Sequence, residues 1–555
     1  VSDKDEAGPA AAPGPAAPSG RFSDRPADRS ADRPADRTAL TRLTGWFSVA
    51  AITAAVLVMI VLSAAGPNVT VPRLPRAGHL PWWHALHLTA TFVTVSLWAA
   101  MALGSAGVIA GLVAVGRGAR PRVRAVLAAA FLAVTALTVL PPAGSTDSIS
   151  YAASGRILVT GHSPYVMTPR QLQRDGDPVG RQIPSAEIPS SWMNAVSVYG
   201  PAATAAEWGA AELGGTSLAR ITFWLKLEEA LAFGAVALAL DRLLRADQAM
   251  RLRAHLLWSV NPLLLWEIVA GGHIDGLAVA FGLTGVAALR SRSAPEGSGS
   301  PRTVPAAGAA LAGLLIGVAT GIKVEYALFG LAVAWACRRS VRALAAAAGG
   351  FAVIAVPAYL TAGTAAIRVL VTRSGGVTWD TMYQLFWRPV LGYTHFGAST
   401  VPPHLVLVSY LLFAAVAVLA LARFPDLVPG RPAVAPALGL SLAWLFVTGF
   451  QRPWYDVMAV ALLALYSASW LDWVVLVRLL AAATVYAQAV QSPAQPHWLY
   501  DIVQFDGMWL TPAVRLLAAV ALVWFCLCGQ VSGRPSWRSR SEPSRGQLPE
   551  LLRTN

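Results

Sequence analysis

Long apolar runs alternate with short polar segments through most of this chain. Most runs hold about 17 to 25 residues, the length an α-helix needs to cross a ~30 Å hydrocarbon core. The pattern predicts spans at 44–66, about 84–116, 125–143, 218–240, 254–271, 275–290, 343–362, 404–422, 433–450, 457–472, 474–490 and 512–530. Residues 304–337 are too long for one span and short for two, and they are expected to form a pair of short helices meeting near Gly321, Ile322 and Lys323. The fold class that follows is an all-α polytopic integral membrane protein with roughly 12 to 14 transmembrane helices.

Two regions break the pattern. Ser197–Leu213 is short, weakly apolar and carries Glu207 and Glu212, so an interfacial or re-entrant helix is expected there. Residues 1–43 hold an Ala/Pro/Gly segment and then the repeat DRPADRSADRPADR, with almost nothing to bury, and are expected to be a disordered cytoplasmic tail. They do not resemble a signal peptide, because the apolar core begins only near Trp46 and no cleavage site follows. The expected organisation is a tail (1–43), a transmembrane domain (44–530) whose segment 144–217 is a large outer loop, and a basic cytoplasmic tail (531–555).

Composition agrees with the pattern: 55% of residues are hydrophobic and 13% charged, with a mean hydropathy of +0.53. A net charge of +14 would point to nucleic acid in a soluble protein. Here the arginines recur after every second span: Arg37 and Arg42, then Arg117 to Arg124, Arg242 and Arg245, Arg290 and Arg292, and Arg338 to Arg342. Positive-inside topology accounts for that spacing, and a nucleic-acid partner is not expected. Cys337, Cys526 and Cys528 lie near span ends on the expected cytoplasmic side and form no disulfide or metal framework. No P-loop, GxGxxG, HExxH or serine nucleophile elbow occurs in a supporting context, which argues against an ATP-driven pump.

With this topology the unusual polar residues collect on the outer side: Asp147, Tyr151, His162, His273, Asp275, Lys323, Glu325, Arg452, Trp454, Tyr455 and His497. Ionisable groups near spans face cavities and partners, so that collection is a candidate site. Asp147 follows an apolar run directly and opens the long loop. In NPLLLWEIVAGGHIDG (Asn261–Gly276), Gly271-Gly272 is expected to break a helix just before His273 and Asp275. The plain alternative is a turn in which Asp275 caps the next helix. Lys323 in GIKVEY suits a phosphate oxygen, against a local pair with Glu325. Arg452 in QRPWYD is able to fork onto a phosphate beside Trp454 and Tyr455, although aromatics at this depth are commonly belt residues. The DGD run (Asp175–Asp177) is too short to assign a metal. No cofactor is assigned, and a divalent metal is left open.

These residues carry a resemblance. Asp147 with Tyr151, GHSPY (Gly161–Tyr165), VYGP (Val198–Pro201), NPLLL with GGHID, GIKVEY and RPWY occur in an order that resembles the GT-C fold glycosyltransferases. Among these, the chain is most similar to the polyprenol-phosphomannose-dependent α-1,6-mannosyltransferases of actinobacteria that act on lipomannan precursors. Ser163 stands where that family more often has Asn. The resemblance implies Asp147 as catalytic base, a polyprenyl-phosphate mannose donor, a mannoside or lipoglycan acceptor, displacement with inversion and an extracytoplasmic site. Tyr151, His273, Asp275, Lys323, Glu325, Arg452, Trp454 and Tyr455 are the expected donor-binding set. Two readings compete: transfer of another polyprenyl-linked sugar such as arabinofuranose, and a carrier for a polyprenyl-linked glycan, which the broken helices motivate. Only the resemblance favours mannose, and no convincing internal repeat supports a carrier.

Overall fold

The structure, a computed structural model, describes residues 34–76, 78–291, 304–373, 378, 380–386, 403–426, 428–487 and 496–528. By its contacts the chain divides into residues 1–40 and 41–555, and the architecture below is that of the second unit. Among the described residues it is all α-helical, with one isolated β-bridge between Asn68 and Val71. The basic tail 531–555, residues 387–402 between the expected spans 343–362 and 404–422, and residues 1–33 lie outside the described residues.

The first helix, α1 (Pro34–Ala64), starts inside the expected tail, because the strong helix formers of TALTRL extend the span N-terminally. The second, α2 (Ala90–Gly116), starts later than the expected residue 84. The Trp82 and His84 amides are bonded instead to the Val139 and Ala64 carbonyls, and Thr89 then caps the Phe92 amide. After α3 (Val123–Thr138) come the helices of the outer loop: α4 (Asp147–Val159), α5 (Pro169–Arg174), α6 (Ser190–Met193) and α7 (Pro201–Gly214). The long helix α8 (Leu218–Leu243) is followed by α9 (Gln248–Leu257) and α10 (Pro262–Leu264), which continues as a π turn over Leu265–Ala270. Asn261 accepts from the Leu263 amide and Pro262 sits at the first helical position, so NPLLL is a helix start by local chemistry.

The expected break follows. Gly272 has φ +65°, a left-handed conformation that favours glycine, and the chain bends by 113° into α11 (Asp275–Ala288). The second expected break is also present: α12 (Ala306–Ile322) ends at Lys323, whose backbone is extended, and one 3-10 turn leads to α13 (Ala327–Cys337). The long α14 (Val341–Arg373) packs on α12 through small residues. A Cβ on Gly313 would come within 1.9 Å of the Ala347 carbonyl oxygen, so the two backbones touch there.

The remaining helices are α15 (Pro403–Arg423), α16 (Val434–Val447), α17 (Val457–Leu465), α18 (Leu471–Tyr486), α19 (His497–Phe505) and α20 (Thr511–Cys528). A π turn joins α19 to α20, so helix occupies much of the polar stretch between the expected spans 474–490 and 512–530. Among the described residues, five helices are long and apolar enough to cross a membrane alone, and a sixth if the pair bent at Gly272 counts as one. Other expected spans appear as shorter apolar helices, among them α3, α12 and α16. Their breaks are bridged by side chains. Buried Arg253 of α9, for example, reaches Asp472 of α18 at 2.5 Å and the Leu463 and Tyr466 carbonyls at 3.0 Å, bonding carbonyls left over where α17 ends.

Candidate active site

The loop that delivers Asp147 is held at its middle by two backbone hydrogen bonds. Ala143 donates to the Ala270 carbonyl at 2.9 Å and Gly144 to the Thr70 carbonyl at 2.8 Å. Just upstream, Lys226 of α8 is fully buried and donates its ammonium to the carbonyls of Leu137, Leu140 and Pro141 at 2.6, 2.7 and 3.1 Å. A cation at the C-terminal end of α3 satisfies carbonyls that the helix leaves over and complements its dipole. One turn further along α8, Glu229 accepts from the Leu277 amide at 3.0 Å, at the N-terminal end of α11. The α11 cap is therefore Glu229 rather than Asp275. Two buried ionisable side chains on one face of α8 thus fix the segments bearing Asp147 on one side and His273 and Asp275 on the other.

Asp147 opens α4, with its side chain 13% exposed. Burial pushes its carboxyl above the usual carboxylate range, against the pull of the Arg452 and Lys323 charges and of hydrogen bonds from Ser145 and Tyr151. His273 Nδ1 bonds the Glu267 carbonyl, and because a carbonyl only accepts, that nitrogen carries the proton. Among the described residues its Nε2 has no hydrogen-bond partner, and it faces Asp147 Oδ2 at 3.9 Å. The imidazole stacks on Trp454 with centroids 3.7 Å apart and planes 14° from parallel. Trp454 is 2% exposed, so it packs inside the site and is not a lipid-facing belt residue.

Lys323 donates to Asp275 at 2.7 Å, and its ammonium lies 3.5 Å from the centre of the Tyr455 ring. It pairs with Asp275 in place of the nearby Glu325, which is half-buried on the following 3-10 turn. Arg452 stands between the faces of Phe450 and Tyr486, at 4.8 and 5.0 Å, and uses one of its donors on the Gln451 carbonyl. Among the described residues it pairs with no carboxylate, so most of its guanidinium fork is unspent. The structure therefore brings together Asp147, Tyr151, His273, Asp275, Lys323, Arg452, Trp454 and Tyr455, leaving Glu325 at the margin. His162 lies at the far end of α4 and His497 is exposed on α19.

Two site residues escaped the sequence reading. Tyr199 exchanges a 3.0 Å hydrogen bond with the Tyr151 hydroxyl and meets its ring edge to face. Gly200 places it: a Cβ there would lie 2.2 Å from the Gly321 carbonyl oxygen, and the Gly200 amide donates to the Ile322 carbonyl, so VYGP and GIK are in backbone contact. Tyr486, at the end of α18, packs on Trp454. The glycine beside Tyr199 was the available signal; Tyr486 has none, being one aromatic at a span end. Lys226 and Glu229 carried a signal in being ionisable inside an apolar run. The DGD run proves structural: Asp177 binds Arg156 at 2.8 Å and accepts from the Val179 and Gly180 amides. Burial raises its pKa, but Arg156 and the two amides outweigh that and leave it lowered. Among the described residues, no three His, Cys, Asp or Glu side chains converge as metal ligands.

The family described as alpha-(1->6)-mannopyranosyltransferase, N-terminal domain, matches residues 48–339, more than half of the chain and both broken helices. The chain belongs to this family. Asp147, His273, Asp275 and Lys323 all fall within the matched region, whereas Arg452, Trp454 and Tyr455 lie beyond it. A probable alpha-(1->6)-mannopyranosyltransferase of Mycolicibacterium smegmatis is 29% identical over 162 residues, covering 29% of this chain and 28% of that protein. An alpha-(1->6)-mannopyranosyltransferase of Mycobacterium tuberculosis is 29% identical over 150 residues, 27% of this chain and 24% of its own length. The chain thus aligns with about a quarter of each of these curated relatives.

Proposed function

We propose that this family member transfers a mannosyl residue from a polyprenyl-phosphate donor to a mannoside or lipoglycan acceptor at the extracytoplasmic membrane face. The observation that carries the reading is a partly buried carboxylate, Asp147, facing an unpartnered imidazole nitrogen across 3.9 Å and lying within electrostatic reach of Arg452 and Lys323.

Asp147 takes the proton of the acceptor hydroxyl as its oxygen bonds the anomeric carbon. The bond from that carbon to the phosphate oxygen breaks, and its electron pair leaves with the polyprenyl phosphate. One displacement inverts the anomeric centre. The second negative charge that develops on the phosphate needs a cation. Arg452 is the best placed, because among the described residues most of its fork is unspent, while Lys323 is held by Asp275 and the Tyr455 ring and orients rather than neutralises. A lipid-borne donor suits a site on the outer side of a membrane domain, and the names of the relatives favour mannose over arabinofuranose.

The test supplies membranes carrying the protein with either polyprenyl-phosphate mannose or a nucleotide-linked mannose, both labelled, and an α-1,6-mannoside acceptor. The reading expects label in the acceptor from the lipid donor alone. Label from the nucleotide sugar in the absence of polyprenyl phosphate would contradict the donor, and movement of an intact glycan across vesicles without transfer would favour a carrier.

A further inference from the structure

A cleft of about 550 Å³ opens at the far end of α4, between the GHSPY turn, the first two turns of α7 and the middle of α14. It adjoins the site. Pro201 lines the cleft only two residues after Tyr199, at most ~7.6 Å along the chain. Leu158 lines its other side, eleven residues or about 16 Å along α4 from Asp147.

The lining differs in chemistry from the site beside it. Among the described residues, no Asp, Glu, Lys or Arg borders the cleft, so no permanent cation is there for a phosphate. It presents instead the hydroxyls of Ser163, Thr204 and Thr361 and the exposed imidazole of His162. Thr204 is held in place by the Tyr165 phenol at 3.3 Å. Trp208, 47% exposed, offers a large apolar face among these polar groups. A polyprenyl tail laid here would strip water from the exposed His162 imidazole and the half-buried Ser163 without offering a hydrogen bond, which is unfavourable, whereas the Thr204 and Thr361 hydroxyls already donate to the Pro201 and Pro357 carbonyls. A neutral chain of sugars uses both features, its hydroxyls on the polar groups and its C–H faces on the indole.

We propose that this cleft is a remote acceptor subsite, which binds the neutral glycan chain behind the sugar whose hydroxyl reaches Asp147. The proposal rests on the transferase reading for its role, but binding can be measured without transfer. The experiment titrates an α-1,6-linked mannose oligosaccharide into the purified full-length protein in detergent. Trp208→Ala should weaken binding about tenfold, while Trp208→Phe keeps it within about twofold. Because Trp208 is half exposed, its truncation leaves the fold intact, and equal melting temperatures check this. In the transfer assay, Trp208→Ala should raise the acceptor KM by a similar factor and leave the donor KM unchanged.

A wild type that fails to bind the oligosaccharide, or binding unchanged in Trp208→Ala, would overturn the subsite. A rise confined to the donor KM would overturn it too and assign the cleft to the lipid. Oligosaccharide binding that depends on Trp208 in a protein that transfers no mannose would overturn the transferase reading and keep the glycan site.

Discussion

The role we propose for Asp147 as base rests on balanced surroundings. Burial alone would keep it protonated, and the Arg452 and Lys323 charges draw it back toward the carboxylate. A base works deprotonated, so on this reading activity should be present above its pKa and lost as pH falls through it. Removing the Arg452 charge disfavours the carboxylate and raises that pKa. Arg452→Gln should therefore move the acid limb of the kcat/KM profile to higher pH, and should lower kcat/KM about 10²-fold through loss of phosphate stabilisation. A pH profile of the variant checks both. An acid limb that stays put would separate Arg452 from Asp147. The DGD run shows what residue types alone conceal: Asp177 has the look of a metal ligand, yet its oxygens are occupied by Arg156 and two amides. Asp177→Ala should cost about 1–3 kcal/mol of stability through the unpaired, nearly buried Arg156, read as earlier thermal unfolding.

At the scale of elements, the site is made by broken helices held in place by an unbroken one. Both breaks were legible, because Gly271-Gly272 and Gly321 interrupt apolar runs beside polar residues. Which element fixes them was not legible. Lys226 and Glu229 stand out as charges in a span, but their partners are backbone groups 48 to 89 residues away, which have no signature in sequence. The partner of Lys323 was equally hidden. Glu325 is two residues away and Asp275 is 48, so spacing favoured the nearer carboxylate. The extended backbone at Lys323 aims its side chain across to α11 instead. Lys226→Met keeps the side-chain length but leaves three buried carbonyls without their donor, at about 1–3 kcal/mol each at most. Its expected outcome is less folded protein and reduced kcat, with Lys226→Arg recovering part of both. Wild-type melting and kcat in Lys226→Met would refute the clamp.

For the whole molecule, the apolar pattern made the all-α membrane architecture plain, while the lengths of single helices were less so. Spans drawn from hydropathy alone run through breaks such as Tyr466–Trp470, where side chains like Arg253 take over the backbone hydrogen bonds. On the arginine spacing we expect the proposed site to lie outside and Cys528, exposed at the end of α20, to lie inside. A membrane-impermeant maleimide should leave Cys528 unlabelled in intact cells and label it after permeabilisation; Cys337 and Cys526 are buried and should react slowly in both. Labelling of Cys528 in intact cells would invert the topology. The central claim is more direct than sidedness: one carboxylate takes the acceptor proton. The measurement that tests it is transfer of labelled mannose from polyprenyl-phosphate mannose to an α-1,6-mannoside acceptor by wild type and Asp147→Asn at equal folded abundance. Near-isosteric Asn cannot accept the proton as a carboxylate does, so transfer should fall by about 10² to 10⁴-fold. Full transfer by Asp147→Asn would contradict the account.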